Sequence, residues 1–155
     1  MSNSKTYKGK FIPVNKEKYK GKINDITYRS SWEKYMMNYL DKNPHVIEWN
    51  SEDVVIPYES KADGGKKRRY FMDFYVKFDN GNIFLFEVKP YKETCEPEKP
   101  KRMTAKAKKR FVEELYTYSV NMDKWVAAMK LAKKKGWHFK IITEHTLRSH
   151  FGWKG

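Results

Sequence analysis

Residues 68–89 read Arg68-Arg69-Tyr70-Phe71-Met72-Asp73-Phe74-Tyr75-Val76-Lys77-Phe78-Asp79-Asn80-Gly81-Asn82-Ile83-Phe84-Leu85-Phe86-Glu87-Val88-Lys89, and Pro90 closes the run. Aromatic and β-branched residues fill both halves, and Asp79-Asn80-Gly81 between them is a turn signal, so the stretch predicts a β-hairpin. Asp73, Glu87 and Lys89 interrupt the apolar pattern. Ionisable groups in so hydrophobic a setting must be paired, metal-bound or turned to a wet cleft, because bare buried charge is costly.

The turn decides whether these groups meet. Glu87 and Lys89 share a face, since side chains alternate along a strand. A two-residue Asn80-Gly81 turn would pair Phe78 with Ile83 and turn Asp73 away from Glu87. A three-residue loop, Asp79-Asn80-Gly81, with Gly81 left-handed in a bulge, pairs Phe78 with Asn82. Counting back then sets Asp73 across from Glu87. The second register is preferred, because it gathers both acids and the lysine into one cluster.

An Asp followed on the next strand by Glu-x-Lys resembles the active-site core of the PD-(D/E)XK nuclease superfamily. The leading proline of that motif is Met72 here. The resemblance implies an α/β, restriction-endonuclease-like core with a mixed, mainly antiparallel central sheet flanked by helices. It implies that Asp73 and Glu87 hold a divalent ion and that Lys89 sits beside the attacking water. The chemistry agrees: Mg²⁺ takes hard oxygen ligands, binding through one or two carboxylates and keeping waters for substrate phosphate. Mn²⁺ is the alternative ion. A lysine at such a site can orient the water and offset charge on the phosphate. The plainer alternative is an ordinary exposed Glu–Lys pair at a strand end.

Working outward, the chain has 155 residues, which suits one core. Its formal charge of +14 predicts a polyanionic partner, and nucleic acid is the commonest. No apolar run of membrane-spanning length and no signal-peptide pattern stands out, so a soluble protein that is not exported is expected. The single cysteine, Cys95, excludes an internal disulfide and a cysteine-based zinc site. His45, His138, His145 and His150 show no zinc-ligand spacing and read as surface or packing residues.

Upstream, Ser30 or Ser31 can cap a helix running to about Leu40, with Trp32, Met36, Tyr39 and Leu40 on its sheet-facing side. Glu33 stands in its first turn. It reads either as a dipole-favouring glutamate or, from the resemblance, as an upstream carboxylate that completes the metal site and orients a water. Arg29 either touches the scissile phosphate or pairs with Glu33. Val54 to Tyr58 reads as a first strand, which Pro57 confines to an edge or to its own end. Residues 59–68 read as a polar loop, and Lys66, Lys67, Arg68 and Arg69 form a basic run that leads towards Asp73. Such a run is a solvated face or a grip on the DNA backbone.

Downstream, Tyr91 to Pro100 is a loop whose Glu93, Glu96 and Glu98 read as solvated rather than as further metal ligands. Lys101, Arg102, Lys106, Lys108, Lys109 and Arg110 make a second candidate phosphate clamp. Asn121 to Lys135 predicts a helix with Trp125, Ala128, Met129 and Ala132 as its apolar stripe, stopped by Gly136. Residues 137–142 follow as a strand, and a helical crossover makes it parallel to the Glu87 strand. No base-reading motif is apparent.

Four separated blocks narrow the resemblance: Tyr28-Arg29-Ser30-Ser31-Trp32-Glu33, Val46-Ile47-Glu48-Trp49-Asn50-Ser51-Glu52, Arg69-Tyr70-Phe71-Met72-Asp73-Phe74 and Phe86-Glu87-Val88-Lys89-Pro90. In that order they look like the head completion nucleases of contractile-tailed phages, and more distantly like transposon-end endonucleases. The likeness runs from about Gly9 to Glu144. It implies catalytic roles for Glu33, Asp73, Glu87 and Lys89, and action on packaged DNA during head completion and head–tail joining. Phage head or neck proteins would be partners, and the host cytoplasm or the virion the location. The chain then divides into a basic N-terminal arm, 1–22, and a single nuclease domain, 23–155. Two rivals stand beside this reading: a non-catalytic DNA-binding head–tail adaptor, and a transposase- or repair-type endonuclease on the same core.

Overall fold

The structure, a computed structural model, describes residues 8–155; the start of the basic arm lies outside them. The elements in chain order are β1 (Gly9–Lys10), β2 (Thr27–Tyr28), α1 (Ser31–Lys42), β3 (Val46–Ser51), β4 (Val55–Ser60), β5 (Lys66–Phe71), β6 (Phe74–Phe78), β7 (Ile83–Val88), α2 (Ala105–Lys135), β8 (His138–Ile142) and α3 (Glu144–His150). The central sheet has the order β3-β6-β7-β8. Its first two pairings are antiparallel and β7 runs parallel to β8. Helices cover both faces, which is the mixed, helix-flanked core the resemblance implied.

The central hairpin takes the three-residue loop. Phe78 N–H donates to the Asn82 carbonyl at 2.9 Å, and Gly81 N–H donates to the Phe78 carbonyl at 3.0 Å. Gly81 sits at φ 87°, a conformation glycine adopts without a Cβ penalty. Phe74 therefore pairs with Phe86 and Lys77 with Ile83. One step further along this register sets Asp73 opposite Glu87.

Two sequence expectations changed. Residues 66–71 are not a loop running into one long strand: they form β5, which pairs with β4 from Val55↔Phe71 to Ser60↔Lys66 in a separate ribbon. The chain breaks at Met72 and Asp73, where Met72 N–H donates to the Val54 carbonyl at 2.9 Å. Glu52 N–H reaches the Met72 and Asp73 carbonyls at 3.1 and 3.2 Å. The break follows from side-chain chemistry: Lys66, Lys67, Arg68 and Arg69 stay exposed on the ribbon, whereas β6 enters the buried centre. The second change is length. α2 is one helix of 31 residues, so the basic segment from Lys106 to Arg110 forms its first turns. Thr104 caps it by accepting from Ala107 N–H at 3.1 Å, and Gly136 closes it at φ 72°.

Strand alternation on β7 sends Phe86 to one face and Leu85 with Glu87 to the other. Phe86 joins Trp32, Met36, Leu40, Trp49, Phe74 and Val76 beneath α1. Leu85 joins Ile56, Tyr58, Tyr70, Met72, Trp125 and Ala128 beneath α2. Met129, expected on the inner stripe, is 49% exposed, because it lies one residue round the helix from the Trp125–Ala128–Ala132 line that packs. The described part of the basic arm is fastened down. Phe11 and Tyr19 pack edge-on against Trp49, with ring centroids 5.9 and 4.8 Å away. The buried Asp41 carboxylate accepts from Val14 and Asn15 N–H at 2.8 and 3.0 Å.

Candidate active site

Three elements bring the predicted acids to one end of the sheet. Asp73 lies in the break just before β6, and its Oδ2 accepts from Val88 N–H at 2.8 Å, locking it against β7. Glu87, in β7, is 6% exposed, and Tyr70 Oη donates to its Oε2 at 2.6 Å. Glu33 enters from the first turn of α1. Its N–H is capped by Ser30 Oγ at 3.1 Å, and its Oε1 accepts from Arg29 N–H at 3.3 Å. Lys89 follows β7, held by its own N–H donating to the Ile142 carbonyl at 2.9 Å.

The charges of these groups are felt at Asp73. Burial pushes the Asp73 carboxyl well above the ordinary aspartate range, and the neighbouring Glu87 and Glu33 charges push it further. The Val88 N–H and the Lys89 ammonium pull the other way. Burial likewise raises Glu87, opposed by the Tyr70 hydroxyl and by the Lys89 and Lys124 charges. Glu33 is raised by burial too, and then by Glu52. A cation between the two strands would relieve the repulsion between these facing carboxylates.

The donor set fits a hard divalent ion. Asp73 and Glu87 offer carboxylate oxygens from opposed positions, and Mg²⁺ needs only one or two carboxylates with waters and phosphate completing its shell. Among the described residues no group of three or more His, Cys, Asp or Glu is placed to hold a metal ion, so Glu33, expected to complete the metal site, does not stand with Asp73 and Glu87 as a third ligand and acts on Asp73 only through its charge. Glu93, Glu96 and Glu98 lie elsewhere, lining a groove of about 930 Å³ against α2 whose walls include neither Asp73 nor Glu87.

The remaining predicted residues split into three places. Arg29 sits beside the acids but forms an ion pair with Glu52, not with Glu33. Lys66, Lys67, Arg68 and Arg69 are the exposed first residues of β5, followed by the buried Tyr70. Arg68 pairs with Asp63, and the Arg69 guanidinium lies 5.5 Å from the Phe71 ring. Lys101, Arg102, Lys106, Lys108, Lys109 and Arg110 are all exposed, leading into and along the start of α2. Sequence reasoning missed Tyr70, Glu52 and Lys124. Tyr70 looked like one more strand aromatic. Glu52 looked like part of a turn, although it takes φ 54°, unusual for a residue with a side chain.

The family described as TnsA-like endonuclease N terminal matches residues 43–144, which contain Asp73, Glu87 and Lys89. The chain is also 54% identical over 149 residues to the Head completion nuclease of Enterobacteria phage T4, covering 96% of this chain and 98% of that one. The chain belongs to the head completion nucleases, within the TnsA-like endonuclease family. The fold, the nuclease class and the family resemblance drawn from the four sequence blocks therefore hold. The match begins at residue 43, so Glu33 and Arg29 lie within the likeness to the phage relative but outside the family segment.

Proposed function

We propose that this nuclease hydrolyses DNA phosphodiester bonds with a divalent ion, Mg²⁺ or alternatively Mn²⁺, held by Asp73 and Glu87. The observation that carries the proposal is the hairpin register, which opposes those two carboxylates and follows them with Lys89. When bound, the ion supplies Lewis acidity and neutralises charge at the scissile phosphate. Glu33, projecting from the start of α1, orients the attacking water and takes up its proton. The Lys89 ammonium positions that water and offsets the negative charge growing on the phosphoryl oxygens. The water oxygen bonds to phosphorus, the bond from phosphorus to the leaving sugar oxygen breaks, and the leaving oxygen is protonated.

Arg29, Lys66, Lys67, Arg68 and Arg69 grip the backbone on one side of the acids in this proposal. Lys101, Arg102, Lys106, Lys108, Lys109 and Arg110 grip it on another, without reading sequence. In this proposal the nuclease acts on packaged DNA as the head is completed and joined to the tail, with head or neck proteins as partners, in the host cytoplasm or the virion; the name of the phage relative, a head completion nuclease, supports that setting. Among the described residues no helix is long and apolar enough to cross a membrane.

The test is cleavage of linear and circular DNA by wild type, Asp73→Asn and Lys89→Ala proteins in Mg²⁺ and in EDTA, each checked for folding. Cutting by wild type with metal alone supports the proposal, and loss of closed circles shows internal cleavage. DNA binding by wild type with no cleavage under Mg²⁺ or Mn²⁺ would leave the non-catalytic adaptor.

A further inference from the structure

Beneath Glu87 lies a group that the mechanism does not use. Tyr70 is the last residue but one of β5 and is 3% exposed. Its hydroxyl donates to Glu87 Oε2 at 2.6 Å, a contact buried on both sides. The hydroxyl is the one polar atom that this side chain brings to a cluster otherwise made of Ile56, Tyr58, Met72, Leu85, Trp125 and Ala128. From α2, the Lys124 ammonium lies 5.7 Å from the centroid of the same ring. A phenylalanine would fill this space as well, so packing does not account for the hydroxyl.

The consequence for Glu87 is geometric. A glutamate has three rotatable bonds, and in an apolar pocket nothing else on β5 would stop its carboxylate turning. The Tyr70 hydrogen bond occupies Oε2 and restrains that rotation, leaving Oε1 as the oxygen that Tyr70 does not engage. Losing a group that hydrogen-bonds a ligating side chain typically costs about 10–100-fold in metal affinity. The tyrosine also lies in a different sheet from Glu87. It therefore ties the basic β4–β5 ribbon to the carboxylates of the central sheet.

We propose that Tyr70 is a positioning residue, holding the Glu87 carboxylate in the orientation in which it and Asp73 ligate a divalent ion. The inference rests on the metal-site reading of Asp73 and Glu87. It joins the strand that carries Lys66, Lys67, Arg68 and Arg69 to the ligand itself: DNA contact along β5 and metal occupancy share one hydrogen bond.

The experiment is a titration of Mg²⁺, and separately Mn²⁺, into wild-type, Tyr70→Phe and Asp73→Asn proteins, without DNA. It is followed by calorimetry and by the metal-induced rise in melting temperature. Wild type binds and Asp73→Asn does not. Tyr70→Phe keeps a folded circular-dichroism spectrum and binds roughly tenfold or more weakly. Equal affinity of Tyr70→Phe and wild type overturns the role of Tyr70 while leaving the metal site standing. If wild type itself binds neither ion, the metal-site reading has failed instead. Should Tyr70→Phe not fold, wild-type protein labelled at tyrosine Cζ decides the matter. One buried tyrosine resonance must shift with Mg²⁺ in wild type and stay put in Asp73→Asn, and the absence of any such shift overturns the proposal.

Discussion

Asp73 carries the heaviest burden of any single residue. Replacing it with Asn removes the carboxylate charge and leaves the Val88 N–H contact with an isosteric acceptor, so the fold is expected to survive. Asp73→Asn is expected to cut no DNA and to show no melting-temperature rise with Mg²⁺. Lys89→Ala should still bind the ion but lose cleavage by on the order of 10²-fold, the usual cost of removing one group that stabilises developing charge. Single-turnover rates at saturating metal separate the two variants. The raised Asp73 carboxyl also fixes a pH trend. In the metal-free protein the folded state holds this proton more tightly than the unfolded chain does. Its contribution to stability is thus present below the ordinary aspartate value, about 4, and lost as pH rises through the raised folded value. Protons and metal compete for the same oxygens, so the melting-temperature gain from Mg²⁺ should grow with pH and shrink on acidification. A gain that is flat with pH would contradict this. Asp41 offers a contrast, because its buried carboxylate serves structure only. Asp41→Ala leaves the Val14 and Asn15 N–H groups without their acceptor, at a cost of about 1–3 kcal/mol. Urea denaturation of Asp41→Ala should show the loss, with metal affinity unchanged.

Among the elements, the central hairpin decides whether there is a site at all. Its register depends on Gly81, whose φ of 87° suits glycine, while a Cβ added there would meet nothing within 4 Å. Substitution therefore costs backbone strain rather than a clash. Gly81→Val should destabilise by about 1–2 kcal/mol and favour the two-residue turn, whose slip by one residue swings Asp73 to the other face. Loss of Mg²⁺ binding out of proportion to the lost stability is the signature to look for. The hairpin, its turn and the parallel crossover to β8 were legible because each rests on local pattern: alternation, a turn tripeptide, a helix flanked by strands. The β5 ribbon was not. Lys66 to Arg68 read as loop and Arg69 to Phe71 as the start of the hairpin strand, and the break at Met72 and Asp73 that separates β5 from β6 rests on contacts with Val54 and Glu52 that no local pattern encodes. The full length of α2 was also missed. Its first turns are exposed and basic, with no apolar stripe for periodicity to detect, and the helix persists there on its Thr104 cap and good helix formers.

At the scale of the molecule, a net charge of +14 coexists with a small acidic centre. Attraction to DNA should be strong and dependent on salt, with log affinity falling linearly in log salt at a slope of about −0.9 per phosphate neutralised. Replacing Lys66, Lys67 and Arg69 with Gln is expected to flatten that slope by about two to three units while leaving cleavage at low salt largely intact. An unchanged slope, read by fluorescence anisotropy in EDTA, would remove β5 from the DNA surface. Charge of this kind is additive and long-ranged, so composition alone declares it. Declaring that Asp73, Glu87 and Lys89 are unusual also needed only the sequence, since three ionisable groups stand in an apolar run and the turn between them limits the register to two choices. Which groups surround them was decided elsewhere. The Glu33 charge is felt at Asp73 because α1 packs over Trp49 and Phe74. Arg29 turns to Glu52 because the chain bends left-handed there. Tyr70 meets Glu87 because two sheets abut beneath α2. Hydrogen bonds and burial act between residues far apart in the chain, and only the folded arrangement brings them within reach. The sequence by itself therefore determined the family, the charge and the hairpin that carries the candidate acids, and the tertiary structure alone decided what holds each carboxylate in place.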